Sequence, residues 1–260
     1  LSIIFLLVKG LNLGIDFKGG TLIEIRAENP NINTAEIRQS FLKMELGDIL
    51  LSEGKKWDAI LYYSQVEKKF KNDIIGQEAK FKKIKVDYYN GDFNWAQSQL
   101  DILKSSTSKL ISNDAMDLSL LITDNLNLDT TVIPMEMYAR ADLLFYQNKL
   151  DESIVTLDSI LTSYSHHTLV DEIYFRKYQI YEIKNDIDKS IEMLENIVSN
   201  YSYDILKDDA IFHLAQIYEN KKQDTEKAFK YYETILLECA GSIYTAESRK
   251  KYRKLRGDEL

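Results

Sequence analysis

At 260 residues, 45% hydrophobic and 28% charged, the chain can bury one elongated core or two compact ones and is not a disordered polymer. With only 2 Pro in all and few Gly after residue 34, it favours long helices over a turn-rich β fold. A net charge of −8 provides no general field for phosphate backbones and argues against a nucleic-acid partner, while a single Cys excludes an internal disulfide and a cysteine zinc cluster.

The chain opens on a short, mostly apolar run, Leu1–Val8. A membrane helix needs about 20 such residues, so this run reads as the tail of one, with a short buried strand as the alternative. Gly10, Gly14, Gly19 and Gly20 follow, then the β-prone stretch Thr21–Ile25 and the loop signal Asn29-Pro30-Asn31. Asn33 or Thr34 can cap a helix starting at Ala35, with Glu36 in its first turn. From there the pattern is helical. Hairpins are expected at 35–53/56–71, 74–90/93–105, 131–148/150–165, 169–184/187–201 and 206–220/225–238. An extra helix is expected at 108–126 and a terminal one at 243–255.

A column of small residues sets the phase: Ala59, Ala96, Ser153, Ser190 and Ala228. Ala59 to Ala96 and Ser153 to Ser190 are equal steps, and a fixed period of this size marks stacked helical hairpins. Four residues on stand Tyr63, Leu100, Leu157, Leu194 and Tyr232; seven on stand Val66, Leu103, Ile160, Ile197 and Ile235. These offsets share one helix face, so each second helix is expected to bury one stripe. Five residues before the small residue come Gly54, Gly91, Asn148 and Asn185, residue types that tolerate the left-handed backbone ending a helix. The last hairpin departs from this with a turn one residue longer, its Asn220 lying further back.

These columns resemble the tetratricopeptide repeat, most closely at Gly91-Asp92-Phe93-Asn94-Trp95-Ala96 and at Leu46-Gly47 with Gly54, although the usual Pro between repeats is absent. The resemblance covers about residues 44–256. It implies an all-α superhelix of helical hairpins, behind a short extended amino-terminal segment, that binds a protein or peptide along a concave groove. Phe81, Tyr138, Phe175 and Phe212 recur at one phase of the first helices, as interhelical packing or as groove lining. The family's groove positions, a few residues later, correspond to Lys85, Tyr88, Asp142, Phe145, Gln179 and Glu182.

The amino-terminal motif Gly10-Leu-Asn-Leu-Gly14-Ile-Asp16-Phe17-Lys-Gly19-Gly20-Thr21 precedes a strand, so it is not a dinucleotide fingerprint, which opens a helix. Through Gly10, Gly14, Asp16, Phe17, Gly19 and Gly20 it resembles the SecF subunit of the proton-driven protein-export accessory, over about residues 1–48. That resemblance implies membrane or Sec translocon contact through residues 1–26, yet the further membrane spans such chemistry needs do not follow. The expected organisation is a SecF-like fragment at 1–33 and a repeat domain at 34–260. A junction near residues 44–48 is either a natural fusion or an artificial join. The compartment is membrane-associated or periplasmic if residues 1–33 are genuine, and otherwise cytoplasmic or periplasmic.

Chemistry-bearing residues are sparse. His166 and His167 are neighbours at a turn, read as surface polarity, and with His213 they make no metal-ligand set. Cys239 stands where Phe70, Tyr164 and Tyr201 end other hairpins, which points to packing. Asp151-Glu152 and Asp208-Asp209 fall at helix starts, where carboxylates favour the dipole. The basic run Arg249, Lys250, Lys251, Arg253, Lys254 and Arg256 reads as a solvated capping helix. No catalytic residue, metal or cofactor is indicated. The expected function is a non-catalytic protein-interaction scaffold, with a protein-export component as the alternative.

Overall fold

The computed structural model describes residues 12–17, 21–26, 34–71, 73–106, 109–126, 131–201 and 205–258. Among them are two strands and twelve helices. The strands β1 (Asn12–Phe17) and β2 (Thr21–Arg26) pair antiparallel, with Leu13 opposite Ile25 and Ile15 opposite Ile23. β2 was expected; β1 was not, although Leu13, Ile15 and Phe17 alternate in the way a strand requires. Gly14, Asp16 and Phe17 of the export-like motif lie in β1, whereas Leu1–Val8, Gly10, Gly19 and Gly20 fall outside the described residues.

The helices are α1 (Thr34–Ser52), α2 (Lys56–Lys69), α3 (Ile74–Tyr89), α4 (Phe93–Ser106), α5 (Lys109–Leu126), α6 (Ile133–Tyr146) and α7 (Leu150–Ser163), followed by α8 (Val170–Ile183), α9 (Ile187–Asn200), α10 (Lys207–Asn220), α11 (Thr225–Glu238) and α12 (Thr245–Arg256). Every expected helix is present, within two residues of its expected bounds. The chain divides into two compact units. The first is Leu1–Asp124 with Tyr146–Asn148, and the second is Asn125–Phe145 with Lys149–Leu260.

The periodic columns do what their chemistry requires. All five small residues and all five residues four positions on are fully buried, and the residues seven on are buried too. Each bulky apolar side chain so placed stabilises the fold by about 1.5–3 kcal/mol. Where the small residue is Ser, its hydroxyl needs an acceptor in the dry interior. Ser153 Oγ donates to the Ala141 carbonyl at 2.8 Å, and Ser190 Oγ to that of Asp186 at 2.9 Å.

The turns share one geometry. Gly54, Gly91, Asn148 and Asn185 all have positive φ. In each, the next N–H reaches back five residues: Lys55 to Leu50, Asp92 to Asp87, Lys149 to Leu144 and Asp186 to Tyr181. This closes the last turn of the helix in the manner of a Schellman cap. The final hairpin has the longer turn, and Gln223 keeps the left-handed site at φ 54°, five residues before Ala228.

In the first unit α1, α2, α3 and α4 pack in succession. The core there includes Ile37, Met44, Val66, Phe70, Ile75 and Ala79. In the second unit α7 to α12 do the same, around Leu194, Ile197, Ile211, Leu214, Ile217 and Tyr232. Cys239 packs against this second core, partly buried, and burial pushes its thiol pKa up. His167, expected as surface polarity, is buried instead, because its Nδ1 accepts the Leu169 N–H at 3.1 Å. Helix α12 ends at Gly257, which takes a left-handed φ of 90°, and Arg256 pairs with Asp258.

Candidate partner-binding site

The first unit holds a cavity of about 370 Å³. One face of α3 supplies half of its lining residues, with Ile74, Glu78, Phe81, Lys82, Lys85 and Tyr89 recurring at helical spacing, and Leu51 of α1 adds an apolar edge. Asp48 of α1, Tyr63 of α2, Ile111 and Asp114 of α5, and Tyr146 complete it. Asp48 is its polar anchor. It accepts the Tyr63 hydroxyl at 2.7 Å and pairs with Lys82 Nζ at 2.6 Å. Gly47 lets the Tyr63 ring lie flush against α1, since a Cβ there would meet Tyr63 Cε1 at 2.5 Å.

Lys85 lies beside two aromatic rings, 6.0 Å from the Tyr89 centroid and 5.8 Å from that of Tyr146. An ammonium so placed is attracted by the ring faces. Burial raises the Glu78 pKa, with Lys82 opposing and Asp48 and Glu45 adding to the rise. Burial and Asp48 push the Tyr146 phenol up to about 12. The cavity thus combines aromatic walls, cations and a carboxyl whose pKa burial raises.

The six expected groove residues separate into distinct settings. Lys85 lines the cavity. Tyr88 is buried, its ring 5.8 Å from that of Phe93. In the second unit Asp142, Phe145 and Gln179 converge on Arg176. Its Nε lies 2.7 Å from Asp142 Oδ1, its guanidinium sits 4.8 Å over the Phe145 ring, and its Nη1 donates to Gln179 Oε1. Glu182 pairs with Lys221 Nζ at 2.7 Å. Of the recurrent aromatics, Phe81 lines the cavity while Tyr138 and Phe212 are buried.

Asp48, Lys82 and Arg176 were not anticipated. A signal existed: Asp48–Lys82 and Asp142–Arg176 are both first-helix pairs separated by 34 positions. The tyrosine network also recurs. In the second unit Tyr232 donates to Glu219 at 2.7 Å, and Lys251 pairs with the same carboxylate at 2.9 Å. Against the burial that would raise it, hydrogen bonds from Tyr232 and Lys251 hold the Glu219 pKa below its usual value. The Tyr–carboxylate–Lys arrangement is therefore part of the scaffold. Lys85 between its tyrosine rings is what sets the cavity apart.

A second polar cluster lies in the second unit. Glu172 Oε1 accepts Asn125 Nδ2 at 3.0 Å, and the Tyr138 hydroxyl donates to the Glu172 carbonyl at 3.3 Å. Burial, reinforced by the Asp171 carboxyl, pushes the Glu172 pKa up to about 9. Among the described residues no group of His, Cys, Asp and Glu could hold a metal ion, and no helix is long and apolar enough to cross a membrane.

Two families match the two ends of the chain. Residues 209–242, spanning α10 and α11, match the tetratricopeptide repeat. The helical array is a tetratricopeptide-type solenoid. Its repeat is a protein-interaction fold rather than an enzymatic one. Residues 4–30 match the SecD/SecF GG motif. Similar relatives over this end are protein translocase subunits SecF. That of Magnetococcus marinus is 46% identical over 50 residues, 19% of this chain and 16% of its own. That of Calditerrivibrio nitroreducens is 41% identical over 49 residues, 19% of this chain and 16% of its own. That of Rhodobacter capsulatus is 46% identical over 52 residues, 20% of this chain and 15% of its own. The match spans about a sixth of the length of these curated relatives.

Proposed function

We propose that residues 34–260 form a non-catalytic scaffold that holds a partner protein, and that the first unit's cavity takes a segment of that partner. The observation that carries this reading is Lys85 beside Tyr89 and Tyr146 in a cavity of about 370 Å³, a volume suited to side chains of a bound peptide. The recognised peptide offers an acidic or carbonyl group to Lys85 and apolar side chains to Phe81 and Tyr146. Selection from a phage-displayed random peptide library on the full chain tests this. Selected peptides should bind the wild type and lose roughly tenfold or more on Lys85→Glu and on Tyr146→Ala. Peptides that bind all three proteins equally would move the site elsewhere.

A second reading rests on the SecF-like end: residues 1–33 are a piece of a protein-export subunit, touching membrane or translocon through residues 1–26. The similarity over 50 residues supports it. Deleting residues 1–33 separates the two readings. The scaffold reading expects a folded helical remainder with unchanged peptide binding, whereas the export reading expects lost membrane localisation. Sequencing the genomic locus across the codons for residues 40–55 tests the junction, since a broken reading frame there would remove the export reading altogether.

A further inference from the structure

The first helix of the array carries two faces. Ile37, Ser40, Met44, Gly47 and Leu51 form its buried stripe, with Ile37 and Met44 in one core with Val66 and Phe70 of the α2 hairpin arm. A second stripe is apolar and open: Leu42, Leu46 and Ile49 are 67%, 38% and 53% exposed. Their spacing of four and three puts them on one line along the helix.

Three of the other four hairpins show what such a line is for; in the fourth, α6 places Glu136 and Arg140 there, both exposed. Aligned by helix ends, Leu42 and Ile49 correspond to Ala79 and Val86 of α3, to Ile173 and Ile180 of α8, and to Ala210 and Ile217 of α10, all of them buried. Leu46 corresponds to Leu214 in α10, also buried, and to Lys83 and Lys177, which pair with Glu67 of α2 and Asp158 of α7. In each case the second helix of the preceding hairpin packs there: α2 on α3, α7 on α8, α9 on α10. The Leu42 line is therefore the acceptor half of the interface by which this array joins one hairpin to the next.

We propose that Leu42, Leu46 and Ile49 seat an amphipathic helix from a partner polypeptide, of the kind this fold uses as its second helix. That helix carries a small residue followed by bulky apolar residues four and seven positions later. Because Leu46 matches Leu214, the best template is α9 on α10, with its stripe Ser190, Leu194 and Ile197. Charge argues against head-to-tail stacking of a second copy. The exposed residues of terminal helix α12 include Arg249, Lys250, Arg253, Lys254 and Arg256, cations that would lose their water against leucines.

The test uses the full chain and a stapled, fluorescent peptide with the α9 sequence, residues 187–200, read by anisotropy. Saturable binding is expected. It should weaken by roughly tenfold or more with the Leu46→Glu/Ile49→Glu double variant, and likewise when the peptide itself carries Leu194→Asp. The peptide control leaves the chain untouched, so a folding defect cannot imitate the result. Absence of saturable binding, or equal binding by variant and wild type, overturns the proposal. So does self-association in sedimentation velocity that the double variant abolishes, because the face would then belong to a second copy.

Discussion

The two units use the same register in opposite ways. In the first, Asp48 and Lys82 edge an open cavity, with Tyr63 bridging to the carboxylate. In the second, Asp142 and Arg176 stand at equivalent places, Leu157 replaces the tyrosine, and the guanidinium gathers Asp142, Phe145 and Gln179 around itself. A lysine is a point charge that satisfies one neighbour and leaves room beside it. An arginine fork bonds in several directions and stacks on a ring as well. Equivalent positions in a repeat therefore do not imply equivalent sites.

The largest expected effect breaks this contrast at Arg176. Arg176→Met removes the cation paired with the nearly buried Asp142 carboxylate and should cost about 3 kcal/mol, read by urea denaturation. Lys82→Met removes a more exposed cation, and Asp48 keeps its Tyr63 hydrogen bond, so about 1 kcal/mol or less is expected. Equal losses would show that the two pairs are energetically alike.

Gly47→Ala comes next, at about 1–3 kcal/mol, because the added methyl drives into the fully buried Tyr63 ring and pulls its hydroxyl from Asp48. The second unit supplies the remedy. There Ala141 and Leu157 hold the corresponding positions, both fully buried. Gly47→Ala/Tyr63→Leu should thus be more stable than Gly47→Ala alone in the same denaturation assay. A double variant that is worse than the single one would refute the correspondence.

A smaller effect depends on pH. Burial, with the neighbouring Asp171 carboxyl, raises the Glu172 pKa in the folded chain above its unfolded value of about 4.3, so the native state binds the extra proton in the window between the two. Stability from this group is full at low pH and declines as pH rises through that window. Glu172→Gln stays neutral and keeps an oxygen for Asn125. It should match the wild type at pH 4 and exceed it at pH 8, as followed by thermal melting. A variant less stable at both pH values would mean that the carboxyl is needed as a carboxylate. Glu78→Gln in the first unit should show the same sign more weakly, since Lys82 opposes the shift there.

Much of this architecture was legible because it rests on periodic apolar positions. The column from Ala59 to Ala228 and its partners at four and seven are buried as their spacing requires. The site was legible only as a face. Periodicity places Lys85, Asp142 and Gln179 on equivalent turns, but it does not say which long polar side chain closes over its neighbours. Arg176 and Lys82 became informative only beside Asp142 and Asp48, 34 positions away. Tyr88 shows the converse limit: one residue of helical phase separates lining from core, and its ring lies in the core against Phe93. Strand β1 was missed because its glycine and aspartate weaken β-propensity, although pairing with β2 holds it extended.

The smallest expected effect lies in the turns. In the α1/α2 and α3/α4 hairpins the left-handed site is Gly, at positions 54 and 91, while the hairpin of α10 and α11 places Gln223 there at φ 54°. A residue with a Cβ is strained in that region by about 1 kcal/mol, whereas Gly pays no steric cost but has more freedom to lose on folding. The two terms partly cancel, so Gln223→Gly should raise the unfolding free energy, read by urea denaturation, by only about 0.5 kcal/mol. Gly91→Ala, which imposes the strain on a relaxed turn, should lower it by about 1 kcal/mol. The opposite signs are the informative part. If Gln223→Gly were destabilising, the glutamine side chain would be holding the longer turn through contacts of its own, and backbone conformation alone would not explain the column.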